Sequence, residues 1–192
     1  MSVGALVLAA GGSIRLGEPK QLLLYRGQSF VRRAVAAALD ADCEPVVVVV
    51  GRDRARIAAA LRGLPVTLVP NDDWERGIGS SIRLGTASVE NCSAIVIIAC
   101  DQPQVSRELL RQLRALQAAT GKPIIASAYA ATRGVPALFA QSYFEALVAL
   151  PDGEGAKAII AAHPEDVATV DFPEGAIDID TPGDYLQLPN DL

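Results

Sequence analysis

The 192-residue chain reads as one three-layer α/β domain over residues 1–192, built on a mostly parallel, mixed sheet. Three observations predict this. Short β-branched runs alternate with longer Ala/Leu/Arg segments, the pattern of βαβ units. Residues 46–50 are valine throughout, so both faces of that strand should be covered, as in a parallel sheet. Hydrophobic residues make up 51% of the chain against 20% charged, which supports a sizeable core and excludes disorder.

The elements follow in order. Residues 3–10 read as a buried strand and 29–39 as a helix apolar on one face. After the valine strand, 52–61 is helical, 66–69 a third strand, and 80–88 a helix behind a polar loop. Residues 94–100 form the most apolar strand. Residues 106–119 form an amphipathic helix, with Ser106 as N-cap and Glu108 in the first turn. The second half is less regular: 123–129 and 135–139 read as strands flanking a loop, 141–150 and 155–162 as helices, and 167–170 as a short strand. Neither a repeat nor a linker interrupts this succession.

Composition narrows the chemistry. Seventeen basic against twenty-two acidic side chains give a net charge of −5, whereas a duplex nucleic-acid binder carries a basic surplus or stripe. Arg52, Arg54 and Arg56 read as the wet side of a short helix. Three cysteines, Cys43, Cys92 and Cys100, cannot form a closed disulfide set and lack metal-ligand spacing. Their apolar surroundings suggest buried, reduced thiols and a cytoplasmic protein. The apolar runs fall short of the ~20 residues a membrane span needs. The single histidine, His163, precedes Pro164 and is poorly placed for a hydrolase triad or a His-rich metal site.

Three segments carry the chemistry. The first is Leu8-Ala9-Ala10-Gly11-Gly12-Ser13-Ile14-Arg15-Leu16-Gly17-Glu18-Pro19-Lys20. A glycine-rich loop after a strand lets backbone N–H groups approach phosphate oxygens, and Arg15 and Lys20 supply charge for a triphosphate. Lys20 is one of only three lysines in a chain that otherwise uses arginine. The spacing is neither a Walker A loop nor the dinucleotide Gly-x-Gly-x-x-Gly pattern; the plainer reading is a tight turn with solvated charges. The second segment, Cys100-Asp101-Gln102-Pro103, places a carboxylate at the carboxyl end of a strand, where open α/β sheets bind ligands. A carboxylate there suits Mg²⁺, which takes one or two carboxylates plus substrate phosphates; it also suits an ordinary turn. In the third, Asp178-Ile179-Asp180-Thr181-Pro182-Gly183-Asp184, alternation puts Asp178 and Asp180 on one strand face, a costly arrangement without a cation. Asp180 or Thr181 equally reads as opening a final helix with Pro182 in its first position. Asn71, Trp74, Gly77, Gly79, Ser80 and Ser81 form a polar loop able to read a base. Gly134-Val135-Pro136 and Gly153-Glu154-Gly155-Ala156-Lys157 are candidate acceptor-side loops.

Taken in order along the chain, these motifs resemble the nucleotidyltransferases related to molybdenum-cofactor cytidylyltransferase. The resemblance implies a Rossmann-like nucleotidyltransferase fold and Mg²⁺-dependent transfer of a nucleotidyl group with release of pyrophosphate, Mn²⁺ being an alternative ion. It implies that Leu8, Ala9, Ala10, Gly11 and Gly12 lie against the nucleotide, with Asn71, Gly79, Ser80 and Ser81 near the base. Arg15 and Lys20 would hold the triphosphate and, with Asp101, act in catalysis; Asp101 and Asp180 would ligate the metal. Gly134, Pro136 and Lys157 would face the acceptor, the terminal phosphate of molybdopterin or molybdenum cofactor, and a molybdenum enzyme would be the client. Guanylyltransferase relatives carry Leu-Ala-Gly-Gly where this chain has Leu8-Ala9-Ala10-Gly11, so the resemblance favours CTP over GTP. Lys157 stands where many relatives have arginine, a point charge in place of a bidentate fork.

Three alternatives follow. The same fold could use GTP or another phosphorylated acceptor, or act as a non-catalytic carrier of the molybdenum cofactor. A nicotinamide-dependent oxidoreductase comes last, because the dinucleotide pattern is missing.

Overall fold

The computed structural model describes residues 2–12, 17–89, 91–177, 179, 181–186 and 188. Strand β1 (Val3–Ala9) leads through a 3₁₀ turn (Lys20–Leu22) to a hairpin of two short strands, β2 (Leu24–Tyr25) and β3 (Gln28–Ser29), then to α1 (Phe30–Asp40). Next come β4 (Val46–Val50), α2 (Arg54–Ala60), β5 (Thr67–Pro70), α3 (Ile78–Ala87), β6 (Ala94–Ala99) and α4 (Arg107–Thr120). The second half holds β7 (Ile124–Tyr129), β8 (Thr132–Ala140), α5 (Phe144–Val148), α6 (Ala156–Ala162), β9 (Val167–Asp171) and α7 (Pro182–Leu186).

Seven strands form one mixed sheet in the order β5-β4-β1-β6-β8-β7-β9. Only β8 runs antiparallel to its neighbours; the other pairs are parallel. Side-chain alternation then assigns each strand residue to a face. Val3, Ala5, Val7, Val46, Val48, Val50, Val96 and Ile98 join Val35, Ile57 and Leu110 in a core under α1, α2 and α4. Leu6, Val47, Val49, Ile95 and Ile97 join Ile82, Leu147 and Ile160 in a second core under α3, α5 and α6. The all-valine strand is buried at every position, for the reason its sequence implied. The three layers are therefore helix, sheet and helix.

Helix α4 has the termini its sequence predicts. The Ser106 Oγ accepts the Leu109 N–H at 3.2 Å, and Gly121 ends the helix in the left-handed region at φ 68°. All three cysteines are buried, and burial pushes the Cys43 thiol up to about 11. Among the described residues, no helix is long and apolar enough to cross a membrane.

Three elements depart from the sequence reading. The β2–β3 hairpin was not anticipated; Arg26 and Gly27 turn it with φ of 51° and 76°, the backbone of a two-residue hairpin loop. Strand β8 begins at Thr132, not 135, because Ala130 and Ala131 make a two-residue turn at positive φ without the glycine or asparagine that announces one. The expected helix over 141–150 is a 3₁₀ turn (Gln141–Tyr143) followed by the five residues of α5.

Candidate active site

After β1 the chain moves outward to β4 and β5, then returns past β1 to β6, so the strand order reverses between β1 and β6. Open α/β sheets bind ligands in the crevice beyond the carboxyl ends of strands at such a point. A cavity of about 290 Å³ lies there, lined by Leu8, Ala10, Gly11 and Gly12 from the end of β1 and Ala99, Cys100 and Asp101 from the end of β6. Lys20, Gln21, Trp74, Gly77, Ile78 and Ser81 complete its wall. Leu8, Ala10 and Ala99 share the parity of Leu6 and Ile97, which pack on the α3 side, so the cavity opens on that face of the sheet. A larger hollow of about 600 Å³ lies at the opposite, amino-terminal ends of β4 and β5, between Cys43, Pro45 and Val66. The strand-end rule gives it no such role.

Lys20 and Asp101, 81 residues apart in sequence, meet at the cavity wall with Lys20 Nζ 2.5 Å from Asp101 Oδ2. Both side chains are mostly shielded from solvent, at 18% and 19% exposed, so the pair is screened less than a surface one. Among the described residues Asp101 is the one carboxylate on the cavity wall. Among the described residues no group of three or more His, Cys, Asp or Glu could hold a metal. A cation at this place would draw on Asp101 and on substrate phosphates, a donor set that suits Mg²⁺ or Mn²⁺.

Backbone packing explains the glycines around the cavity. A Cβ at Gly12 would stand 2.6 Å from Trp74 Cη2, and one at Gly51 would stand 2.9 Å from Trp74 Cγ and against the Ala10 carbonyl. The indole therefore lies across two bare backbone segments. Gly77, at φ 126°, and Gly79 face the backbone of Asp152 and Pro151 so closely that neither site has room for a side chain. The Gly79 N–H donates to the Asp152 carbonyl at 2.9 Å. The Asp152 carboxylate takes Arg83 on one oxygen and Arg76, at 2.9 Å, on the other. These two guanidiniums, Arg83 first, hold the Asp152 carboxyl below the usual carboxylate range.

The anticipated site residues divide into four groups. Leu8, Ala10, Gly11, Gly12, Lys20, Ser81 and Asp101 meet at the cavity. Ala9, Asn71, Gly79 and Ser80 lie behind its lining. The Asn71 amide donates to Ser80 Oγ at 2.9 Å and Ser81 Oγ at 3.0 Å, and its oxygen accepts the Asp73 N–H at 3.0 Å. The Ser80 hydroxyl is turned to the Gly77 carbonyl at 2.7 Å. Asn71 and Ser80 thus shape the loop that presents Ser81 and Trp74, their polar atoms being spent on that loop. Gly134, Pro136 and Lys157 are absent from the described cavity lining. Gly134 packs under the Tyr129 ring, the Pro136 carbonyl accepts the buried Ser127 hydroxyl at 2.6 Å, and Lys157 is exposed on α6. Arg15, Asp178 and Asp180 lie outside the described residues. Sequence reasoning missed Gln21, whose one signal was its place beside Lys20.

The family described as MobA-like NTP transferase domain matches residues 5–167. The purine catabolism protein PucB of Bacillus subtilis is 30% identical over 190 residues, 93% of this chain and 91% of that protein. A nicotine blue oxidoreductase of Paenarthrobacter nicotinovorans is 38% identical over 105 residues, 54% of this chain; the match spans about half, 52%, of that relative's length. The crystal structure of Rv0371c from Mycobacterium tuberculosis superimposes with a TM-score of 0.80 at 30% identity, covering 98% of each chain. A complex of Rv0371c with manganese superimposes with a TM-score of 0.78 at 27% identity, over all of both chains.

Proposed function

The chain belongs to the MobA-like NTP transferase family, and on that premise we propose that residues 1–192 are one cytoplasmic domain that transfers CMP from CTP to the terminal phosphate of molybdopterin or molybdenum cofactor. The observation that carries the reading is the meeting of Lys20 and Asp101 at 2.5 Å across the crevice between β1 and β6. A cation from the 3₁₀ turn after the glycine-rich loop and a carboxylate just past β6 suit a reaction in which an anionic phosphate oxygen attacks an α-phosphorus and pyrophosphate leaves. Such transfer asks for position and charge neutralisation more than for a strong base, which fits a cavity without a histidine among its described lining residues. The attacking phosphate is already anionic at neutral pH.

Each residue then has a task. Gly11 and Gly12 bring backbone close to the phosphates, and Lys20, with Arg15, offsets charge on the α-phosphate and departing pyrophosphate. Asp101, with Asp180, would hold Mg²⁺ or Mn²⁺, which when bound supplies Lewis-acid neutralisation at the phosphates. The Ala10 methyl narrows the base side of the cavity and supports CTP over GTP. Gly134, Pro136 and Lys157 would form the acceptor side, from which a molybdenum enzyme would receive the product. The test is pyrophosphate release from CTP and, separately, GTP, with Mg²⁺ and molybdenum-loaded molybdopterin. CTP-selective release that falls sharply in Asp101→Asn supports the reading, and full activity in that variant sinks it.

One relative favours a second reading. The Paenarthrobacter protein is named an oxidoreductase, and a redox role for this chain would show as oxidation of an added reduced nicotinamide cofactor by an added electron-accepting substrate, with no pyrophosphate released.

A further inference from the structure

We propose that Gln21 is a positioning residue that sets the phosphate cradle of the glycine-rich loop, an inference that rests on the nucleotide-transfer reading and deepens it. Gln21 is 2% exposed and sits in the 3₁₀ turn directly after Lys20. Its Nε2 lies 2.6 Å from the Gly11 carbonyl and 3.2 Å from the Ala9 carbonyl. A side-chain amide carries two hydrogens on nitrogen and none on oxygen, so only the donor end can face two carbonyls, and each receives one hydrogen.

The consequence follows from peptide planarity. In a trans peptide the carbonyl and the next N–H point in opposite directions. Fixing the Gly11 carbonyl therefore fixes the Gly12 N–H away from Gln21, and fixing the Ala9 carbonyl does the same for the Ala10 N–H. Between them, the Ala10 carbonyl faces the Gly51 side, where it would meet a Cβ at Gly51. Ala10, Gly11 and Gly12 all line the cavity. Glycine here allows close approach of a phosphate but does not choose a peptide orientation; the Gln21 amide chooses it.

The turn has a second anchor. Leu22 packs against the α1 side of the core and Leu23 into a small cluster with Phe30, Ile179 and Leu188. With its apolar side fixed, the turn sends Lys20 to the end of β6 and Gln21 to the end of β1. One short segment thereby sets both the cation and the backbone donors in common register.

Calorimetric titration of the wild type, Gln21→Met and Gln21→Glu with Mg²⁺·CTP, inorganic tripolyphosphate and cytidine tests this. Methionine keeps the volume and removes the donor, so it retains a test should the buried glutamate variant not fold. Loss of two hydrogen bonds should weaken CTP and tripolyphosphate by about tenfold or more and leave cytidine affinity unchanged. Wild-type tripolyphosphate affinity in Gln21→Met would overturn the cradle role, and so would an equal loss of cytidine, since that marks a merely structural residue. A wild-type protein that binds neither CTP nor tripolyphosphate would overturn the nucleotide-transfer reading together with it.

Discussion

The two halves of the sheet are built on different terms. On one side β5, β4, β1 and β6 run parallel, the inner three apolar and buried on both faces. On the other side β8 reverses direction, its pairing with β7 slips between Ala126 and Ser127, and the turn that joins the two rests on Ala130 and Ala131 at positive φ. The parallel half holds Lys20, Asp101 and the glycine-rich loop, whereas the mixed half holds Gly134, Pro136 and, on a neighbouring helix, Lys157. The inner strands β4, β1 and β6 are buried almost throughout and frame the crevice of Lys20 and Asp101. Each half ends on a poorly covered edge strand, β5 on one side and β9 on the other.

The largest effect expected from this contrast is catalytic. Asp101→Asn should lower pyrophosphate release by about 10²–10³-fold, the scale of losing one preorganised charge-stabilising group. Lys157→Ala, at an exposed point charge, should change it by roughly fivefold at most. Initial rates against CTP and acceptor separate the two, and comparable losses would break the contrast. Stability should show the same asymmetry. Ile97→Ala, fully buried on β6, should cost about 2–5 kcal/mol. Val170→Ala on the edge strand β9 should cost about 1 kcal/mol. Urea unfolding midpoints of both variants give the comparison directly.

The joint between the halves comes next. Gly79→Ala forces a methyl against the Pro151 carbonyl, with an expected cost of about 1–3 kcal/mol and weaker nucleotide binding, because Gly77 and Ile78 line the cavity on the same turn. Native thermal stability combined with a changed CTP affinity would show that the loop over 151–155 yields before the core does. The smallest effect concerns acid. Because Arg83 and Arg76 hold the Asp152 carboxyl below its ordinary value, its stabilising contribution is present above the unfolded carboxyl's range and is lost as pH falls through the depressed folded value. Unfolding of the wild type and Asp152→Asn, at neutral pH and below about pH 4, should show the wild type's advantage shrinking on acidification. An advantage that grew there would contradict the ion-pair account.

Much of the parallel half was legible because its signals are local. A run of five valines, a serine three residues before the amide it caps, and an aspartate just past an apolar strand each declare themselves within a few residues. The hairpin turn at Ala130 and Ala131 was not legible, since alanine at positive φ is held there by the strands it joins. Asn71 and Ser80 were recognisable as a polar loop, but not as groups that satisfy one another at 2.9 Å. Gln21 had no motif of its own, and its importance is the pair of carbonyls it reaches.

Periodicity, composition and caps thus settled most of the succession of strands and helices and the two apolar faces, because burial on a helix or strand repeats at a fixed short interval. Tertiary structure decided which of the marked residues meet. Lys20 and Asp101 are brought together across 81 positions, the loop over 151–155 is laid on Gly77 and Gly79, and Lys157 is left on the surface. Such pairings depend on how whole elements dock, and a docking angle or a backbone approach leaves no period in the chain to be read.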